Sequence, residues 1–211
     1  MTDEVGAGFA KPLIELTSEQ QVRLDIYKSL LLRWQRKINL ISNTTTAKIW
    51  ERHFLDSLQL LAWSGAWLNW VDLGSGGGFP GMVVAIMAPD PRCTVHLIEV
   101  DKRKSAFLAE VSRETGAPVE IHVDRIERAL PPLAKMVKFD AVSARALAPL
   151  SELVELSWPV LQKGACGLFL KGREAVFELT NLAAGSNLSI KLVPSATDPG
   201  AKIVVLRALK T

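Results

Sequence analysis

Residues 71–81 read VDLGSGGGFPG, and no other stretch restricts the fold as tightly. Trp70, Val71 and Leu73 make an apolar, strand-like lead that carries one acid, Asp72. Gly74, Gly76, Gly77 and Gly78 follow, and a helix-like run from Met82 to Met87 comes directly after them. Glycines in a strand-to-helix turn let the backbone approach a ligand closely, and the helix N-terminus behind them favours anionic or polar groups. Two nucleotide patterns overlap here. Gly76, Gly78 and Gly81 satisfy G-x-G-x-x-G, the dinucleotide fingerprint. Asp72, Gly74, Gly76 and Gly78 satisfy D-x-G-x-G-x-G, expected of an S-adenosylmethionine site. The loop alone does not choose between them.

The flanking sequence supplies the architecture. Thr17 and Ser18 with Gln20 and Gln21 form a helix start. Val22, Ile26, Tyr27, Leu30, Leu31, Trp34 and Ile38 recur at helical spacing, which predicts a long amphipathic helix. A second helix is expected from Ala47 to Trp63, carrying Arg52, His53, Asp56 and Ser57. From Trp70 onward, strands and helices alternate. Strands are expected at 70–73, 94–98, 119–123, 139–143, 165–170, 188–193 and 203–208, and helices at 102–115, 151–161 and 173–184. Such alternation predicts an α/β fold, a doubly wound, mostly parallel seven-stranded sheet with one antiparallel strand and an N-terminal helical extension. Residues 1 to about 16 read as a loose arm.

Composition narrows the functional class. The chain has 211 residues, 48% of them hydrophobic and 22% charged, as expected of one globular unit with a sizeable core. Its formal charge is +3, compatible with nucleic acid without establishing it. Cys93 and Cys166 sit in apolar runs and read as reduced, buried residues. The acidic start is not a secretory signal, and the longest uncharged run is too broken to span a membrane. A cytoplasmic protein is expected.

In a sheet of this kind the ligand lies beyond the carboxyl ends of the strands. That brings together the glycine loop, Glu99, the Ile126–Glu127 pair and a turn at Ser143–Arg145. Glu99, ending the second strand, suits ribose hydroxyls of either cofactor. Asp72 suits the methionine end of S-adenosylmethionine and is not needed for NAD. The chain also lacks room for the separate substrate domain of a dehydrogenase. The methyl donor is therefore favoured over NAD. The acceptor is narrowed by absences: the segment after the fourth strand, Ser143-Ala144-Arg145-Ala146, lacks the Pro-Pro-aromatic loop of amine methylation. Neither cysteine is placed for pyrimidine C5 chemistry. His53, His96 and His122 look scattered, so no metal is expected. Guanine N7 needs no activation, because its in-plane lone pair is free at neutral pH, and a dry, aligned site suffices.

NLISNTTTAKIWERHFLDSL, VDLGSGGGFPG, FDAVSARALAPL and LFLKGR together resemble the bacterial small-subunit ribosomal RNA guanine-N7 methyltransferases, the RsmG family, also called glucose-inhibited division protein B. The resemblance implies a monomeric enzyme acting on one guanosine near the decoding centre of 16S rRNA or the small ribosomal subunit. In the family, loss of that methyl group accompanies low-level streptomycin resistance. It further implies cofactor contacts at Gly74, Phe79, Ile126, Glu127 and Arg145, with Arg145 also a positioning residue. Residues 1–65 would form an arm and helices packed on a methyltransferase domain of residues 66–211. For RNA, the basic residues Arg33, Arg36, Lys37 and Lys171 are phosphate candidates, and Arg52 and His53 belong to the more specific signature. An NAD-dependent oxidoreductase and a non-catalytic RNA-binding assembly factor are the alternatives.

Overall fold

The computed structural model describes residues 15–182 and 187–209. The expected N-terminal arm lies mostly outside the described residues. Helix α1 (Ser18–Gln35) starts at the expected capping box: Gln20 N donates to Thr17 Oγ1 at 3.1 Å, and Thr17 N to Gln20 Oε1 at 3.0 Å. It buries Leu24, Tyr27, Leu30 and Leu31. Val22, expected on the apolar face, is exposed instead, because the stripe toward the core runs through Leu24.

The expected second helix is broken into short pieces. A 3-10 turn (Asn43–Lys48) passes into a π-helical turn (Trp50–Leu55), then α2 (Asp56–Leu58) and α3 (Leu61–Ser64). Widened turns of this kind often occur at functional sites, and this one carries Arg52 and His53.

The sheet has seven strands in the order β3-β2-β1-β4-β5-β7-β6. These are β1 (Asn69–Leu73), β2 (Thr94–Ile98), β3 (Val119–His122), β4 (Ala141–Arg145), β5 (Cys166–Lys171), β6 (Leu188–Pro194) and β7 (Lys202–Ala208). All pairings are parallel except those of β7, the expected antiparallel strand. β4 runs two residues further than the sequence suggests, so Ser143 to Arg145 lie in the strand and the turn begins at Ala146, a non-glycine residue with φ +50°.

Helices cover both faces. α4 (Gly81–Ile86) and α5 (Lys102–Thr115) lie with α1 on one side, over Trp70, Val95 and Leu97. On the other, α6 (Ile126–Met136), α7 (Leu150–Leu161) and α8 (Ala175–Leu182) cover Val71, Leu73, Val142 and Phe169. Helix α6 escapes the sequence reading because Pro131 and Pro132 stand inside it, where proline removes a backbone donor. Its buried Leu130 and Ala134 still show the helical spacing.

Cys93 and Cys166 are free and buried, as expected. Trp67 and Trp70 pack edge to face at 5.5 Å within the core. Among the described residues no helix is long and apolar enough to cross a membrane.

Candidate active site

A cavity of about 910 Å³ opens beyond the carboxyl ends of the parallel strands. Its volume is near the top of the range of about 300–1,000 Å³ usual for small-molecule sites. One half is walled by Gly74 to Gly77, Glu99, Ile126 and Glu127. The other half is walled by Thr45, Arg52, His53, Asp56, Arg145 and Asp198.

The glycine loop is fixed from beneath and from the side. Gly74 takes φ +63°, a left-handed conformation that a side chain resists. Ser75 N donates to Ile98 O at 3.0 Å, joining the loop to β2. Glu99, at the end of β2, accepts from Gly76 N at 2.7 Å and Asp101 N at 2.8 Å. Its carboxylate thus holds the loop while still lining the cavity, and each oxygen keeps a lone pair for a ligand hydroxyl. Asp101 caps α5 by accepting from Arg103 N and Lys104 N, which accounts for an acid just after Glu99.

Tyr27, from α1, is the support beneath. Its hydroxyl donates to Gly77 O, its ring stacks on Phe79 at 5.2 Å, and a Cβ on Gly78 would lie 2.5 Å from its oxygen. Arg145, at the end of β4, holds its guanidinium 5.0 Å from the Phe79 ring centroid and donates to Arg52 O at 3.0 Å. Burial lowers its proton affinity, but a guanidinium stays charged. The Arg52 side chain pairs with Asp198 at 2.6 Å, tying the π-helical turn to the β6–β7 connection.

His53 packs against Phe79 at 5.0 Å, and its Nε2 lies 2.8 Å from Thr45 Oγ1. Burial, with Arg145 and Arg52 adding to it, depresses the imidazole pKa from 6.5 to about 3. The ring is therefore neutral near pH 7. Asp56 Oδ1 receives Thr197 Oγ1, Ser195 Oγ and Gln59 Nε2, and burial raises its pKa.

Several expected site residues are placed elsewhere. Asp72 is wholly buried behind the loop and does not reach the cavity wall. Ser143 Oγ donates to its Oδ1 at 2.6 Å, and Trp70 Nε1 donates to Ser143 Oγ at 2.8 Å. The acid supports the loop because the strand turns its side chain inward. Gly78 likewise packs on Tyr27, and Gly77 takes its place on the wall. Arg33 pairs with Glu110, clasping α1 to α5; Arg36 and Lys37 are exposed, away from the cavity. Lys171 lines the cavity, but its ammonium is held by Glu178 at 2.8 Å and Ala148 O at 2.9 Å.

The histidines are not all scattered. Adjacent parallel strands bring His96 Nδ1 within 3.0 Å of His122 Nε2, with Glu120 3.4 Å from His96. The ring planes agree within 12° at a centroid separation of 5.3 Å, so the nitrogens point at one another as in an N–H···N bond. Lone pairs so directed do not converge on a common ion, although the three donors lie within 4.8 Å.

Missed by sequence reasoning were Thr45, Asp56 and Asp198, whereas Gly77 lay within the loop already placed at the cleft. Asp56 lay in view beside His53, whereas Asp198 enters through a contact between segments 146 residues apart, which no local pattern signals.

Residues 20–197 match the family model described as rRNA small subunit methyltransferase G, GidB. The chain belongs to this family. Among relatives named ribosomal RNA small subunit methyltransferase G, that of Paramagnetospirillum magneticum is 48% identical over 91% of this chain and 90% of its own length. That of Gluconobacter oxydans is 44% identical over 92% and 97%. Solved structures agree on the fold. Cofactor-bound Rv0187 from MTB superposes with a TM-score of 0.64 at 16% identity, covering 94% of this chain and 93% of that one. The O-methyltransferase TomG from Streptomyces achromogenes, in complex with SAM, gives 0.58 at 17%, covering 94% and 92%. For a member of this family the methyl donor is S-adenosylmethionine, and neither the oxidoreductase nor the non-catalytic alternative is favoured.

Proposed function

We propose that the chain methylates N7 of one guanosine in 16S rRNA, working as a cytoplasmic monomer on the rRNA or the small subunit. The observation that carries this reading is the two-part cavity, whose halves meet at Phe79 and Arg145. The cofactor half is a backbone cradle that a side chain on Gly74 would fill, with a carboxylate at the end of β2. Those features fit a nucleoside with an amino-acid tail. Gly74, Gly76, Gly77 and Phe79 would hold the tail side, and Glu99, Ile126 and Glu127 the nucleoside side. Arg145 would bridge the two ligands.

S-adenosylmethionine, when bound, supplies a methyl group on a sulfonium. Methyl transfer forms the N7–C bond as the S–C bond breaks, leaving a cationic purine and S-adenosylhomocysteine. The protein's contribution is alignment and exclusion of water. The one imidazole on the wall, His53, is far too weak a base for proton abstraction at neutral pH. An acceptor whose lone pair is already free fits such a wall.

The division at about residue 65 becomes functional in this reading. Residues 1–65 supply the RNA-facing wall through Arg52 and His53, and residues 66–211 hold the cofactor. Arg36 and Lys37 would meet phosphates beyond the cavity.

Methyl-labelled S-adenosylmethionine and small subunits from a strain lacking the gene test the proposal. Cleavage at 7-methylguanosine should then locate one labelled site in 16S rRNA. Label absent from both subunits and free rRNA, with the cofactor still binding, would overturn it.

A further inference from the structure

Guanine presents more than N7 to an enclosing site. Its Watson–Crick edge offers the O6 acceptor followed by the N1–H and N2–H donors. An enzyme that takes a base out of its stack reads that edge with hydrogen bonds in the pocket. The RNA-side wall of the cavity carries a carboxylate complementary to the two donors of that edge. We propose that Asp56 is the guanine-recognition residue, accepting from N1–H and N2–H. The proposal rests on the guanine reading above and extends it to the residue that chooses the base.

Asp56 lines the RNA side of the cavity and is oriented by its neighbours. Thr197, Ser195 and Gln59 all approach Oδ1, and no hydrogen bond to Oδ2 is formed by the described residues. Both carboxylate oxygens only accept when ionised, so Oδ2 is matched to an N–H edge. Arg145 and Arg52 hold positive charge near it and favour the ionised form. Asp56 and His53 stand three residues apart on one helical segment, and the His53 ring touches Phe79 at the end of the glycine loop. The base edge would thus be read beside the point where methyl donor and acceptor meet.

The carboxylate also rejects adenine, whose N1 lone pair would face it, so selection comes from repulsion as well as attraction.

The experiment compares small subunits reconstituted with 16S rRNA carrying guanosine or inosine at the methylated position. Inosine keeps O6, N1–H and N7 and lacks only the N2 amine. The wild-type enzyme should prefer guanosine in kcat/KM by roughly tenfold to a hundredfold, the range for one hydrogen bond to a charged group. Asp56→Asn should bring that ratio close to one while S-adenosylmethionine affinity and Tm hold. Asp56→Ser, which still accepts from Thr197, reads the same ratio should the Asn variant be unstable. Thr197→Val should lower the rate and keep the preference. An unchanged ratio in the Asp56 variants, or no preference in the wild type, would overturn the inference. No label in guanosine subunits with wild-type enzyme would instead remove the guanine reading, and this inference with it.

Discussion

Tyr27 donates its hydroxyl to the carbonyl oxygen of Gly77, 50 residues further along the chain, and so places an N-terminal helix under the cofactor loop. The phenol is fully buried, which raises its pKa well above the usual value and keeps it a donor at every working pH. Tyr27→Phe keeps the stacking on Phe79 and leaves the Gly77 carbonyl without this partner. Stability should fall by about 1–2 kcal/mol, and S-adenosylmethionine should bind several-fold more weakly. Denaturant unfolding and calorimetric titration read the two effects; an unaltered affinity would mean the loop does not need its support.

Asp72 gives a pH signature. Burial raises its pKa from 3.8 to about 6 despite the Ser143 hydrogen bond. The folded state therefore holds this proton where the unfolded state has released it. The stability it contributes is fully present below pH about 4 and is lost as pH rises through about 6, a fall of about 3 kcal/mol. Unfolding free energies measured across that window should show the decline in the wild type, and Asp72→Asn should remove it. A decline of the same size in the variant would assign the effect elsewhere.

The framework was legible because it is written locally. The Thr17–Gln20 box, the glycine turn and the alternating apolar runs each depend on residues a few positions apart. Helix α6 was hidden because Pro131-Pro132 is a strong local signal of interruption that packing of Leu130 and Ala134 outweighs. Within the site, Gly74, Phe79, Glu99, Ile126, Glu127 and Arg145 were all anticipated and all line one cavity. Asp72 and Gly78 satisfy the motif yet face inward, because a motif fixes residue types and not which side of the loop they serve. Lys171 and Arg33 illustrate the reverse problem. A cation in a sequence looks available until the fold provides Glu178 and Glu110.

Gly74→Val tests the cradle. The position has φ +63°, and an added Cβ would lie 2.7 Å from Leu147 Cδ1. A β-branched side chain there is strained, at a cost of roughly 1–3 kcal/mol, and protrudes where the backbone must approach the cofactor. The wild type should gain Tm on adding S-adenosylmethionine, and the variant should gain none. Normal affinity in the variant would separate this loop from cofactor binding.

His53 should leave no mark on the pH–rate profile. With its pKa near 3 it stays neutral from about pH 5 to about 8, so turnover should show no inflection from this imidazole near 6.5. It should mark stability instead. The unfolded ring binds a proton that the folded ring excludes, so its contribution is complete above pH 6.5 and is lost as pH falls toward 3, by a few kcal/mol. Unfolding of the wild type and of His53→Phe, compared at neutral and acidic pH, should show the smaller acid loss in the variant.

Arg145 joins the two halves of the site, and its removal should separate catalysis from folding. Arg145→Ala deletes the cation over Phe79 and leaves the Arg52 carbonyl without that donor. Those losses amount to about 2–4 kcal/mol of stability, which a core on both faces of the sheet can sustain. Methyl transfer should drop at least a hundredfold, because alignment is the whole of the protein's contribution to an acceptor that needs no base. Arg145→Lys keeps the charge without the planar fork and should fall between the two. Circular dichroism and Tm establish that the variants are folded, and single-turnover transfer into small subunits measures the chemistry. If Arg145→Ala turns over at the wild-type rate, the guanidinium serves packing alone and the meeting point of the two ligands lies elsewhere in the cavity.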